Sequence, residues 1–364
     1  MIRSLQFAIF FYLATGLGQI NVGIEEKGTI TPLKESFVEQ LSNTTLIFVK
    51  PDYLEKQKLQ SLIEEVWSIS PFLIIDHAEF DPLEYSLPKY SVCRFSPNVN
   101  TLTTNGLMSY FANHQLDFYV WDKSKQLENL EELRLTDFDK EKYTLAKERM
   151  IVQSKTSFAT VALHDNNLAV ADINQSVLKD KKSSLVDEGL MDKNQDKLNI
   201  ADIYTNVYKK DYYYNLDYGM LKNYLQAISD AIQNDFVISR YDNTASSELQ
   251  NLKTNTLYIP SYTRIKLNIL SSVYEVDKDF LIKKMKKYDH EYKVVDTDSI
   301  NEKIMAGESF YYLRYVDLFR SQYIEVVQSQ TGKVIFSNRA LKGLFTKNLQ
   351  SKHFKNLAKA IDDF

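Results

Sequence analysis

Apolar and polar positions alternate between two periods along the chain. Leu46-Ile47-Phe48-Val49 is a short β-rich run, and Leu59, Leu62, Ile63, Val66 and Trp67 follow at spacings that place them on one helix face. Phe72-Leu73-Ile74-Ile75 reads as a second strand. Asp81-Pro82 then gives an N-cap and a proline at the first helical position, with Pro88 past the end. Near the C-terminus, Tyr311–Tyr315 and Tyr323–Val327 read as strands, the latter turning at Thr331-Gly332 into Val334-Ile335-Phe336. Leu221, Tyr224, Leu225 and Ile228 form one amphipathic helix face, and Phe354, Leu357, Ala358 and Ile361 form another.

The pattern occurs twice. Phe72–Asp76 matches Tyr292–Asp296, and Tyr90–Phe95 matches Phe310–Tyr315, at one shared offset of 220 positions. Thr45–Phe48 with Pro51 and Tyr53 corresponds to Thr256–Tyr258 with Pro260 and Tyr262. Downstream, Ser157–Ala171 aligns with Gln322–Phe336, which sets the turn Asp165-Asn166-Asn167 against Thr331-Gly332. In the second copy Ser299 and Glu302 stand at capping-box spacing, and Gly307 closes the helix. The expected fold class is therefore α/β (α+β): two tandem β-α-β-α-β-β-α domains with mixed sheets, related by internal duplication. The expected boundaries are a leader over 1–18, an N-terminal extension over 19–43, a first repeat over 44–240 with insertions near 96–156 and 173–215, and a second repeat over 241–364.

The leader rests on Arg3, the apolar run Phe7–Leu13 and the small residues Ala14, Gly16 and Gly18, with cleavage expected after Gly18. The run is shorter than the roughly 20 apolar residues a membrane span needs, so the mature chain is expected to have no transmembrane segment and to be periplasmic or secreted. With 44 Lys and Arg against 48 Asp and Glu, the chain lacks the basic excess of a nucleic-acid binder. The single cysteine, Cys93, allows no intrachain disulfide and is expected to be a small buried hydrophobe on a strand.

Tyr292-Lys293-Val294-Val295, Tyr311-Tyr312-Leu313-Arg314 and Thr331-Gly332-Lys333-Val334 resemble segments of uncharacterised exported proteins of Bacteroidota. The layout is also similar to the small α/β domain of envelope assembly proteins such as the curli secretion channel and the Tol-system propeller protein. That resemblance implies a fold and transfers no catalytic residue.

Phosphate-loop, nucleophile-elbow and zinc-protease motifs are missing from the sequence, and no cofactor is expected. The densest chemistry is Asp76-His77-Ala78-Glu79-Phe80-Asp81, four metal or proton-transfer groups directly after a strand, where a carboxylate beside an imidazole could hold a divalent ion. The same residues also serve as turn and cap formers. Asp76 with Arg94, and Asp296 with Arg314, recur in both copies and are candidates for a binding site or for structural ion pairs. His164 and His290 are expected to be exposed, and Tyr208–Tyr214 to form a half-buried edge strand, with stacking on sugars as the other reading. The leading functional expectation is an exported, non-enzymatic binding or interaction module for an unknown envelope macromolecule. The alternative is a metal-dependent hydrolase using Asp76, His77, Glu79 and Asp81.

Overall fold

A computed structural model describes residues 19–104, 107–122, 150–166, 200–268, 273–318, 321–341 and 349–364, together with Lys147 and Ala169. The proposed leader, and most of the stretches 123–149 and 173–199, lie outside the described residues.

The first half opens with β1 (Ile20–Val22), the ribbon β2 (Ile24–Glu26) and β3 (Thr29–Thr31), and α1 (Glu35–Ser42). It continues through β4 (Thr45–Lys50), α2 (Lys56–Val66), β5 (Phe72–Asp76), α3 (Pro82–Tyr85), β6 (Tyr90–Thr104), β7 (Leu107–Trp121) and β8 (Lys155–Ala162) to α4 (Ile200–Lys209) and α5 (Tyr218–Gln233). The second half contains β9 (Thr244–Ala245), β10 (Leu257–Pro260), the ribbon β11 (Ile265–Asn268) and β12 (Val273–Val276), and α6 (Lys278–Met285). After these come β13 (Tyr292–Val295), α7 (Thr297–Met305), β14 (Tyr311–Asp317), β15 (Ser321–Gln328), β16 (Val334–Leu341) and α8 (Ser351–Asp362).

Each half builds a six-stranded mixed sheet. The orders are β1-β8-β7-β6-β4-β5 and β13-β10-β14-β15-β16-β9, and the second is the first read from its other edge. β4 and β10 each lie parallel to both neighbours. β5 and β13, the strands aligned at the shared offset, occupy the same edge slot. The two halves are therefore copies of one α/β unit.

Pairing corrects part of the alignment. β8 is the counterpart of β16, so Ser157–Ala162 does not match Gln322–Val327; the counterpart of β15 is β7. The stretch 96–156, expected as an insertion, carries most of β6 and all of β7, paired from Ser91↔Val120 to Thr104↔Leu107. A hairpin this long displaces every downstream position, and a gapless comparison cannot follow it. Asp165 bridges Tyr213 instead of turning a hairpin. In the second copy α7 starts at Thr297 with Asp296 as N-cap, two residues before Ser299. The Thr331-Gly332 turn does join β15 to β16.

The halves do not bury separate interiors. Leu221, Tyr224, Leu225 and Ile228 of α5 belong to the first core, and so do Ile300, Ile304, Tyr312, Val327 and Val334 of the second half. α5 is buried on most of its circumference, including Lys222, Asn223 and Ser229. Two glycines permit this contact. A Cβ on Gly219 would meet Asn301 Oδ1 at 2.6 Å, and one on Gly332, whose φ is +70°, would meet the Asn223 carbonyl at 2.3 Å. The far face of the second sheet has its own core, where Leu313, Ile324 and Ile335 meet Phe354, Leu357 and Ile361 of α8.

Candidate functional site

Directly opposed residues of antiparallel strands share a face, and by this rule each sheet carries one polar row. In the first sheet Arg94 stands opposite Asp117, Asp117 opposite Thr160, and Thr160 opposite Asn21. In the second, Arg314 stands opposite Glu325, Glu325 opposite Ser337, and Ser337 opposite Thr244. Arg314 thus finds its acid at Glu325 on the adjacent strand and not at Asp296, while Arg94 Nε donates to the Phe95 carbonyl at 3.3 Å and its guanidinium lies 5.5 Å from the Phe80 ring centroid. Asp76 instead pairs with Lys50 at 2.9 Å, and Asp296 occupies the N-cap position of α7 without a side-chain capping hydrogen bond.

The second row is buried, and its Ser337 hydroxyl, like that of Thr160, has no hydrogen-bond partner among the described residues. Arg314 Nε donates to Glu325 Oε2 at 2.9 Å, and the guanidinium lies 4.7 Å from the Tyr224 ring centroid. Gln19 N–H donates to the other carboxylate oxygen, Oε1. Burial raises the Glu325 pKa, while Arg314 and the Gln19 N–H draw it down.

The first row lies beneath a cleft of about 550 Å³, lined among others by Asn21, Glu25, Gln115, Lys155, Thr160 and Arg240. Lys155 Nζ donates to Asp117 Oδ2. Asn21 Oδ1 accepts the Arg240 backbone N–H at 2.8 Å, and Arg240 Nη2 donates to Glu25 Oε2 at 3.2 Å. Thr160 is 8% exposed, and its hydroxyl has no hydrogen-bond partner among the described residues. Asp117 Oδ1 is likewise unpartnered there. The site thus combines a buried hydroxyl unpartnered among the described residues with two cations held by carboxylates, and Lys27 lines the cleft as well.

The Asp76–Asp81 cluster is occupied locally. Asp76 N–H donates to Glu79 Oε2 at 3.1 Å, and Asp81 Oδ1 accepts from Leu83 N–H at 2.9 Å as the α3 cap. His77 stacks on Tyr208 at 4.0 Å, and its pKa falls to about 4 through burial and then through Arg94, Lys147 and Lys209. Among the described residues no group of three or more His, Cys, Asp or Glu side chains is placed to hold a metal ion. The metal-dependent alternative therefore gains no support from the placement of these side chains.

Other sequence-predicted residues also change role. Tyr208 ends helix α4 and is buried, its hydroxyl accepting the Phe95 N–H at 2.9 Å. Tyr212 and Tyr213 are buried as well, so these rings are core and not an edge strand. His164 is buried too, with Nδ1 3.1 Å from the Tyr315 carbonyl oxygen. Cys93 is buried on β6, as expected, and burial pushes its thiol pKa well up. His114 and Asp165 form a 2.7 Å pair, but His114 is packed against Tyr213 and does not line the cleft.

Sequence reading passed over Asp117, Lys155, Thr160, Arg240, Gln19 and Glu325. For the two acids a signal exists: Leu116-Asp117-Phe118 and Ile324-Glu325-Val326 each set one carboxylate inside an apolar strand, which requires a buried partner. No helix among the described residues is long and apolar enough to cross a membrane. Comparison with known proteins returns no match: no family model fits the chain, and no curated protein or solved structure matches it.

Proposed function

We propose that the protein is exported to the periplasm or the extracellular space and acts there as a non-enzymatic binding module, with the cleft above the first polar row as its recognition site. The observation that carries this reading is the cleft itself, lined by Asn21, Gln115, Thr160 and the ion-paired Lys155 and Arg240, above a buried Thr160 hydroxyl with no partner among the described residues. A buried polar group left unsatisfied costs about 1–3 kcal/mol, and a bound ligand that supplies its partner recovers much of that. Lys155 and Arg240 are already ion-paired and Lys27 also lines the cleft, so the ligand this cleft suits is a hydroxyl- or amide-bearing segment of an envelope macromolecule. The leader pattern at 1–18 and the missing catalytic motifs support the same reading.

Calorimetric titration with a panel of envelope glycans and peptides tests it. At least one ligand should bind, and Thr160→Val should weaken that binding about tenfold. Failure of the whole panel, or equal binding by Thr160→Val, would overturn the assignment.

A further inference from the structure

The two polar rows differ in what holds the carboxylate. In the first, Asp117 stands opposite Arg94 and receives the Lys155 ammonium. In the second, Glu325 stands opposite Arg314 and receives Gln19 N–H from the other half of the chain. Gln19 is 1% exposed. Its side-chain amide donates to the Ala162 carbonyl at 2.6 Å and to the Tyr224 hydroxyl at 2.9 Å, and the following strand β1 is held by β8 and by a bridge from Val22 to Ile238. Gln19 is also the first residue after the small-residue boundary at Gly18.

We propose that Gly18–Gln19 is the processing site, and that the α-ammonium it releases docks on Glu325, giving the carboxylate that Arg314 already holds a second cationic partner. Hydrolysis of that peptide bond consumes one water. It leaves a carboxylate on Gly18 of the departing leader and an amine on Gln19, which takes a proton from solvent. Cleavage acts on the extended chain before folding, because the folded chain buries Gln19. The α-ammonium then ties the N-terminus to the second sheet, so that leader removal and locking of the two halves become one event. This rests on the reading that the chain is exported, and two separate measurements keep the two apart.

Mass spectrometry of the protein recovered from the exporting cell tests processing; a mature N-terminus at Gln19 is expected, and any other start contradicts the site. The anchor is tested in vitro, without export, by comparing purified chains that begin at Gln19 with chains carrying two extra N-terminal residues. The extension should lower the thermal midpoint by about 3 °C or more, and it should shift nothing in Glu325→Gln or in the double variant Arg314→Met/Glu325→Gln, which leaves no buried guanidinium unpaired. Equal midpoints for both N-termini, or the same shift without Glu325, would overturn the anchor.

A second readout uses the chemistry of N-terminal glutamine. Cyclisation needs the neutral amine to form a bond to Cδ as the Cδ–Nε2 bond breaks and ammonia leaves. A docked ammonium whose side-chain amide is held by Ala162 and Tyr224 resists this. The Arg314→Met/Glu325→Gln chain should therefore accumulate the cyclised mass at least about threefold faster than the unaltered chain, since both the ion pair and the orientation are lost. Equal rates would contradict the docking.

Discussion

Arg314 stands directly across the β14–β15 pair from Glu325, with Nε 2.9 Å from Oε2 and neither side chain more than 1% exposed. The pair sits where α5, the N-terminal strand and the second sheet converge, so it belongs to the junction between the halves. Removing one member strands a buried charge, and Arg314→Met or Glu325→Leu alone should cost about 3–5 kcal/mol. The double variant should recover most of that loss. Urea denaturation of the three variants gives the comparison, and additive losses in the double variant would show that the two residues act independently.

Gly332 allows the β15–β16 turn to approach the α5 backbone. Gly332→Ala adds a Cβ at a positive φ and within 2.3 Å of the Asn223 carbonyl oxygen, so it should destabilise the fold by about 1–3 kcal/mol. An unchanged denaturation midpoint would mean that the turn is free to move away from the helix.

His353 is buried, and burial together with Lys352 lowers its pKa to about 4. In the unfolded chain it titrates near about 6.5, so between these values the unfolded state takes up the proton and the folded state does not. The contribution of the neutral imidazole is complete above pH ~6.5 and is lost as pH falls toward 4. The stability difference between the unaltered chain and His353→Gln should therefore shrink by up to roughly 3 kcal/mol over that window. Stability curves collected across it would show this directly, and a constant difference would contradict the depressed pKa.

Thr160→Val separates binding from stability. The hydroxyl has no partner among the described residues, so removing it should raise the unfolding free energy by about 1–3 kcal/mol. A loss of stability instead would assign Thr160 a structural hydrogen bond.

Much of this architecture is legible in the sequence, for a physical reason. β5 and the start of β6 are short runs whose counterparts keep their spacing, so the pairs at 72–76 with 292–296 and 90–95 with 310–315 locate equivalent strands. Asp81 and Pro82 announce the start of α3 through local cap chemistry alone. What the sequence conceals depends on strand register. Asp117 and Glu325 lie at different distances along the chain from Arg94 and Arg314, because the β6–β7 hairpin is far longer than the β14–β15 one, and only pairing reveals them as equivalents. Arg240 and Gln19 reach their partners through contacts across more than 200 residues, which no local pattern encodes. His77 and Tyr208 show the converse: residues that look reactive or exposed in sequence stack their rings on each other, and the Tyr208 hydroxyl accepts the Phe95 N–H.

The shared core can be tested through the placement of the tryptophans. The chain has two, Trp67 and Trp121, both buried in the first half, so their fluorescence reports that half while far-UV circular dichroism reports the whole chain. Because α5 packs on Ile300, Ile304 and Tyr312 within one continuous core, both signals are expected to follow a single denaturation curve with one midpoint. Two separated transitions, with fluorescence tracking only one of them, would show that the halves fold as independent modules.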